Sequence, residues 1–370
     1  MTHIKKPACS SLGHRWLLLF CSLLSQGCAD KPVGDVQLSG NAATSNDVDV
    51  TLLKMEGPTM GSYFSITIAN PPEELDSDWQ LAIEQELRKI NDLMSTYLES
   101  SELSRFNQSP STEWFPVSPE LAFVVDAAQT ISRESSGALD VTVSPLVNLW
   151  NFGPKKRRRE PPSAEEIEAA KAIIGYDKLE VRLDPPALRK LIPELQVDLS
   201  AIAPGYATDR LVEILAGFGC DNVFVDISGE VRARGMRGER NWRVAIEDPS
   251  DDARSYHLAY ELRDRAIATS GDYRNFFEHN GKRYSHTIDP RTGRPVDHGV
   301  ASVSVFAERS MDADAWATAF TVLGMEAGME LAEKLGMQVL IVRRAADGSF
   351  EERQSPLFPE SLPLSEKSSQ

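Results

Sequence analysis

Apolar positions along the chain recur with two periods, and the switches between them outline the elements. Phe64, Ile66 and Ile68 fall on every second residue; with the apolar run at 50–55 they predict two strands joined by a turn over 57–62. Trp79, Ile83, Leu87, Ile90 and Met94 keep helical spacing behind Asp76 and Ser77, either of which can cap the helix. Residues 100–107 read as a short helical turn opened by a Ser-Ser pair, and 119–135 as an amphipathic helix that stops near Gly137. A short apolar segment follows at 143–150, then a helix over 163–174 with a capping box made by Ser163 and Glu166. Residues 179–183 and 194–199 are strand-like, 205–218 is helical, and 222–305 is mostly short strands between Gly/Asp turns. Two helices at 311–324 and 326–335 precede a strand at 338–342. Helices and strands mix without strict βαβ alternation, which predicts an α+β (irregular α/β) fold, one domain over residues 50–358.

The ends of the chain lack this periodicity. Lys5, Lys6 and Arg15 precede an apolar run at 16–24, too short to span a bilayer, and Ser25-Gln26-Gly27-Cys28 follows. Residues 1–27 therefore read as a secretory signal. A Cys directly after a small residue resembles the lipobox of bacterial lipoproteins, in which that Cys is lipidated; here Ser25 stands where an aliphatic residue is usual. This implies a chain anchored by lipid at Cys28 on the periplasmic side of a bacterial membrane. Residues 28–49 are rich in Asp, Ser, Asn, Gly and Thr and read as a flexible tether, and 359–370 as a disordered tail. Once Cys9 and Cys21 leave with the signal and Cys28 carries lipid, Cys220 is the remaining thiol, in an apolar stretch that predicts a core position without a disulfide.

Charge narrows the partners. Removing the three basic residues of the signal leaves 36 Lys/Arg against 55 Asp/Glu, a net charge of −19, which excludes nucleic acid as the natural partner of the surface. The basic run 155–159 reads as a solvated loop, with contact to an anionic membrane or acidic partner as its other reading.

Candidate chemistry begins at Asp314 and Thr318, spaced i,i+4 on a helix that is otherwise apolar. Two readings fit. A carboxylate and a hydroxyl on one face suit a hard cation such as Mg²⁺ or Ca²⁺. Alternatively Asp312 caps the helix, Asp314 favours its first turn and Thr318 bonds back to a carbonyl. Residues 198–206 form a strand end turning into a helix, whose carbonyls and N–H groups suit a cation and a phosphate. Residues 269–275 form a polar turn in which Ser270, Gly271 and Arg274 could hold an anion. His286 lies between a strand and the turn Asp289-Pro290-Arg291-Thr292-Gly293, either as a structural histidine or as a general base; His257, His279 and His298 sit in plainer polar contexts.

Nine stretches in consistent order give these features a common frame: GPTMGSYF (57–64), MSTYLESSELSRFN (94–107), SSGALDVTVSPLVNLWNFGP (135–154), VDLSAIAPGYATDRL (197–211), VDISGEVRARG (225–235), WRVAIEDP (242–249), ATSGDYRNFF (268–277), YSHTIDPRTGRPV (284–296) and MDADAWATAF (311–320). Together they resemble the ApbE-type flavin transferases, FAD:protein FMN transferase lipoproteins of the bacterial envelope with a T-fold-related domain. The resemblance implies transfer of FMN from FAD to a Thr or Ser hydroxyl of another protein, with release of AMP. It implies Mg²⁺ held by the backbone oxygen of Ala201 and the side chains of Asp314 and Thr318, with His286 as general base. It places FAD against Met60, Tyr97, Ala138, Leu139, Asp140, Asp198, Pro204 and Ile288. The implied acceptors are flavoprotein subunits such as those of Na⁺-pumping or Rnf-type respiratory complexes. Pro204 departs from the family's Lys or Glu and offers neither a polar side chain nor an N–H; Asp272 is not a fixed residue of the family turn. The same residues would serve an Mg²⁺-dependent FAD pyrophosphatase, and a flavin-storing lipoprotein is the non-catalytic alternative.

Overall fold

Eight strands form one antiparallel sheet in the spatial order Leu52–Thr59, Ser62–Ala69, Val223–Ile227, Glu230–Arg234, Arg265–Gly271, Val300–Ala307, Gln338–Arg344 and Phe350–Gln354. The computed structural model describes residues 50–362 apart from 154–159, 248, 250–255, 272–275 and 346, and apart from the side chains of 256, 257, 277 and 282. The signal, Cys28, the tether, the basic run, Asp272, Arg274, the His257 side chain and residues 363–370 lie outside that description.

Strand alternation gives the sheet two different faces. Val231, Ala233, Ile267, Phe306, Leu340 and Val342 point to one side and form a core with Trp242, Ile246, Tyr260 and Leu262. The last four come from a separate hairpin, Trp242–Glu247 with Tyr256–Leu262. The opposite face is covered by helices. In chain order the helices are α1 (Asp78–Met94), α2 (Glu102–Gln108), α3 (Pro119–Glu134), α4 (Ser144–Leu149), α5 (Ala164–Ala172), α6 (Ala203–Gly217) and α7 (Ser310–Leu335). α7 lies along the middle strands, α6 packs beside it, and α1 packs on α6. Strands on one side and helices on the other make the α+β class expected from the pattern. Among the described residues no helix is long and apolar enough to cross a membrane.

Local signals explain most elements. Trp79, Ile83, Leu87, Ile90 and Met94 are the buried stripe of α1, and Asp76 Oδ1 accepts the Asp78 N–H at its start. Ser101 caps α2 through the Ser104 N–H, and the Ser163–Glu166 capping box of α5 is present in both directions. Cys220 is buried and free.

Other elements differ from the pattern. The first strand runs on to Thr59, so the turn shrinks to Met60 and Gly61, with φ of 49° and 74°. Two left-handed residues form the tight turn that matches strand twist. Residues 194–199 do not join a sheet: the Asn107 side chain takes both polar groups of Val197, Nδ2 to the carbonyl at 2.8 Å and Oδ1 from the N–H at 2.7 Å. The missing strand is Pro186–Lys190, between Phe115–Pro116 and Leu179–Leu183 in a small sheet. A proline pair hides it in the pattern, although proline is tolerated at a strand's first residue. Residues 269–271 end a sheet strand rather than open a turn. The two expected C-terminal helices are halves of α7, broken at Gly324 (φ 79°, ψ 177°). The His298 ring stands 2.9 Å from where a Cβ would sit at Gly324, so His298 packs on the break rather than lying in a plain polar loop. Past Phe358 the chain is still tied, by a Leu362 N–H bond to the Ala259 carbonyl of 2.7 Å.

Candidate active site

The sheet register gathers several expected site residues at one end. The Met60–Gly61 turn and the Ser228–Gly229 turn lie side by side there, linked by the Ser228 N–H to the Tyr63 carbonyl at 3.2 Å. The strand Arg265–Gly271 runs antiparallel to Glu230–Arg234 and ends at that same edge, carrying Ser270.

Above this end, α6 and α7 cross closely. A Cβ on Gly205 would lie 2.5 Å from the Ser310 carbonyl oxygen and 2.7 Å from Met311 Cα. Only glycine permits that approach. The contact brings the Gly205 N–H, in the first turn of α6, to 3.0 Å from Asp314 Oδ2. One turn further along α6, the buried Asp209 accepts the N–H groups of Ser310 at 2.8 Å and Met311 at 3.0 Å. The cap of α7 is therefore Asp209, not the expected Asp312, which forks with Arg309 at 2.7 Å on both oxygens. Arg232 answers the Asp209 charge at 2.7 Å.

Asp314 is buried one turn inside α7. Desolvation pushes its carboxyl up to about 7, against the Gly205 hydrogen bond, and the Asp209 charge pushes it the same way. Thr318 follows on the same face, its Oγ1 3.3 Å from Ser270 Oγ. Ala201 lies in the turn that leads into α6, where the Ile202 and Ala203 N–H groups close on the Leu199 carbonyl. Pro204 sits in the first turn of α6, where an N–H has no partner within the helix and its absence costs nothing there. Its carbonyl accepts from Thr208 Oγ1 at 3.0 Å.

The expected flavin residues form a chain of contacts running away from this point. Ala138 and Leu139 are buried, and the Val141 carbonyl accepts the Asp198 N–H at 2.7 Å. This joins the 138–141 stretch to the turn holding Ala201. Asp140 is buried and accepts from Thr142 N at 2.8 Å, Thr142 Oγ1 at 2.6 Å and Tyr176 N at 3.0 Å. Burial raises its carboxyl while those bonds oppose the rise. Asp198 turns its carboxylate onto Ser200 N–H at 2.9 Å. Ile288 belongs to a core with Leu146, Trp150, Ile167 and Ile174. The Trp150 indole N–H donates to the Gly293 carbonyl at 2.8 Å and its ring stacks on Tyr284, fixing the turn that follows His286. His286 itself is half-buried, edge-on to Phe152 with ring centres 6.3 Å apart. Met60 is half-buried at its hairpin tip, whereas Tyr97 is 74% exposed on the loop after α1, outside the network just described.

Two groups carried no assigned role in the sequence, Asp209 and Glu230, and the Gly205 N–H, in a helix start expected to suit a phosphate, instead donates to Asp314. Asp209 had a signal, an acid flanked by Ala207, Leu211 and Val212 on the buried face of a helix. Glu230 had only its place between a turn and an alternating strand.

Fold and site define an α+β protein in which the starts of two helices close around the buried Asp314 at one end of a sheet. The chain belongs to the ApbE family, whose model matches residues 60–341. It is 44% identical to the FAD:protein FMN transferase of Vibrio cholerae, over 93% of this chain and 97% of that protein. It is 38% identical to the Escherichia coli protein of the same description, over 95% and 98% respectively. Among solved structures it resembles the flavin transferase ApbE from Vibrio cholerae, with a TM-score of 0.77 over 84% of this chain and 98% of that one at 44% identity. The apo flavinyl transferase ApbE of Pseudomonas stutzeri aligns with a TM-score of 0.76 at 36% identity, over 83% of this chain and 95% of that one.

Proposed function

We propose that the protein is an FAD:protein FMN transferase. The observation that carries the chemistry is the buried Asp314, held by the Gly205 N–H at the start of α6 with Thr318 and Ser270 one turn along. In the proposed reaction a hydroxyl of the acceptor protein attacks the FMN-side phosphorus of FAD. A new P–O ester bond forms, the pyrophosphate P–O bond breaks, and AMP leaves. His286 takes the hydroxyl proton, since that hydroxyl does not ionise by itself near neutrality. Met60, Tyr97, Ala138, Leu139, Asp140, Asp198, Pro204 and Ile288 are assigned to FAD, the apolar members to its rings.

The donors suit a hard cation. Among the described residues no group of three or more His, Cys, Asp or Glu is arranged around a common point. A site must therefore draw on hydroxyl and carbonyl oxygens as well, which is the donor set Mg²⁺ accepts. Asp314, Thr318 and the Ala201 carbonyl would hold it, and a bound ion supplies charge neutralisation at the pyrophosphate. The Asp314 carboxyl, raised by burial, supports the reading because a cation would restore its charged form. Acceptors are assigned to membrane flavoprotein subunits, of the Na⁺-pumping or Rnf-type complexes or similar, reached from a lipid anchor at Cys28 on the periplasmic side.

The test is to incubate the protein with FAD, Mg²⁺ and a candidate acceptor domain, then to record intact masses and assay AMP. An FMN adduct on the acceptor with matching AMP is expected. Free FMN and AMP without an adduct would replace transfer by hydrolysis, and unchanged FAD would remove both.

A further inference from the structure

Strand register sends Glu230 to the helix-covered face of the sheet. Its neighbour Val231 packs in the apolar core of the opposite face, so Glu230 and Arg232 both point toward α6 and α7. Arg232 reaches Asp209. The residue as a whole keeps some surface, but Glu230 Oε2 is sealed from solvent and meets no donor among the described residues. A carboxylate oxygen left so is costly unless something else fills its lone pairs.

Charge bookkeeping points the same way. Asp209 is answered by Arg232 and two N–H groups. Among the described residues Asp314 has only the Gly205 N–H, and no Lys or Arg is paired with Glu230. The Glu230 carboxyl is buried on the helix side, where the Asp314 charge acts on it more strongly than that of Asp226. Two buried carboxylates without a paired cation carry the charge that one dication would balance. The Thr208 hydroxyl lies 3.0 Å from the Pro204 carbonyl and 3.1 Å from that of Glu230, which fixes the start of this strand against the first turn of α6.

We propose that Glu230 is the second carboxylate of the cation site, facing Asp314 and binding a small hard divalent ion, Mg²⁺ or Mn²⁺, directly or through an ion-held water. The proposal rests on the cation reading of Asp314 and Thr318 above. It adds the group that sets affinity and brings the site to electrical neutrality before substrate arrives.

The experiment titrates the purified full-length protein with Mn²⁺ alone, reading free Mn²⁺ by electron paramagnetic resonance and checking competition by Mg²⁺. Thermal melts in EDTA run alongside. Glu230→Gln is expected to weaken Mn²⁺ binding by about ten-fold or more and to raise the melting temperature in EDTA, because a repulsive charge is gone. Glu230→Asp, which keeps the charge, should lose less affinity, and it decides the question if the Gln variant does not fold. Unchanged Mn²⁺ affinity in Glu230→Gln, or weaker binding accompanied by a lower melting temperature in EDTA, overturns the proposal in favour of a structural role. Asp314→Asn separates the two readings. If it loses Mn²⁺ while Glu230→Gln keeps it, only the Glu230 inference falls. If the unaltered protein binds no Mn²⁺, or Asp314→Asn binds it as tightly as the unaltered protein does, the cation site falls as a whole.

Discussion

His286 lies just beyond the strand Lys282–Ser285, its ring edge-on to Phe152 and its flanks fixed by the Thr287 N–H to Ser285 Oγ at 3.2 Å. That placement holds the imidazole without burying it, which suits proton transfer. His286→Ala should lower turnover about 10²- to 10⁴-fold with FAD affinity little changed, measured by single-turnover AMP release and flavin fluorescence. An unaltered rate would strike it out as the base. Lys190 is a different residue-scale case. It is fully buried, with Nζ donating to the carbonyls of Asn107 at 3.1 Å and Leu195 at 3.3 Å, and desolvation holds its ammonium below the ordinary 10.5 while Glu194 opposes the shift. The folded chain therefore gives up this proton at lower pH than the unfolded chain. Between the folded value and 10.5 the unfolded state binds more protons, so stability rises with pH. Lys190→Met should cost about 1–3 kcal/mol by orphaning the two carbonyls and should lack that rise. Parallel melting-temperature profiles for the two proteins would refute the buried-charge account.

Elements were legible where their signals are local. The Ser163–Glu166 box and the α1 stripe lie within one element, and both stand in the structure where the pattern puts them. The cap of α7 was not legible, because Asp209 is 101 residues from Ser310 and Asp312 satisfies the local rule equally well. Residues 194–199 have strand composition, but Val197 spends both its backbone groups on Asn107, 90 residues away, and the Asp198 N–H goes to Val141. The crossing of α6 and α7 is likewise a tertiary fact carried by one glycine. Gly205→Ala would drive a Cβ into the α7 backbone and should cost about 3 kcal/mol, the upper end for overpacking. It should also weaken divalent binding by moving the N–H off Asp314. Chemical denaturation and Mn²⁺ titration would check both, and a change in neither would mean that the helices simply slide apart.

At the scale of the molecule, the proposed lipid anchor at Cys28 lies outside the part of the chain to which chemistry is assigned. The described fold starts at Val50, and everything assigned to chemistry lies within it. Cys28→Ser is therefore predicted to release the protein from the membrane fraction while leaving AMP release by the purified protein unchanged. A variant that stays membrane-bound would remove the lipid anchor, and one that loses turnover would remove the separation. The sequence by itself determined the α+β class, most helices, the Asp314–Thr318 spacing and the family, because periodicity and motif order are properties of neighbouring residues. Only the tertiary structure decided what those residues face. Sheet register turned Glu230 to the face covered by the helices, a bare glycine let α6 reach α7, and Asp209 closed the helix end. Each joins residues far apart in the chain, where a buried charge or unpaired group must be answered by whatever the fold brings near.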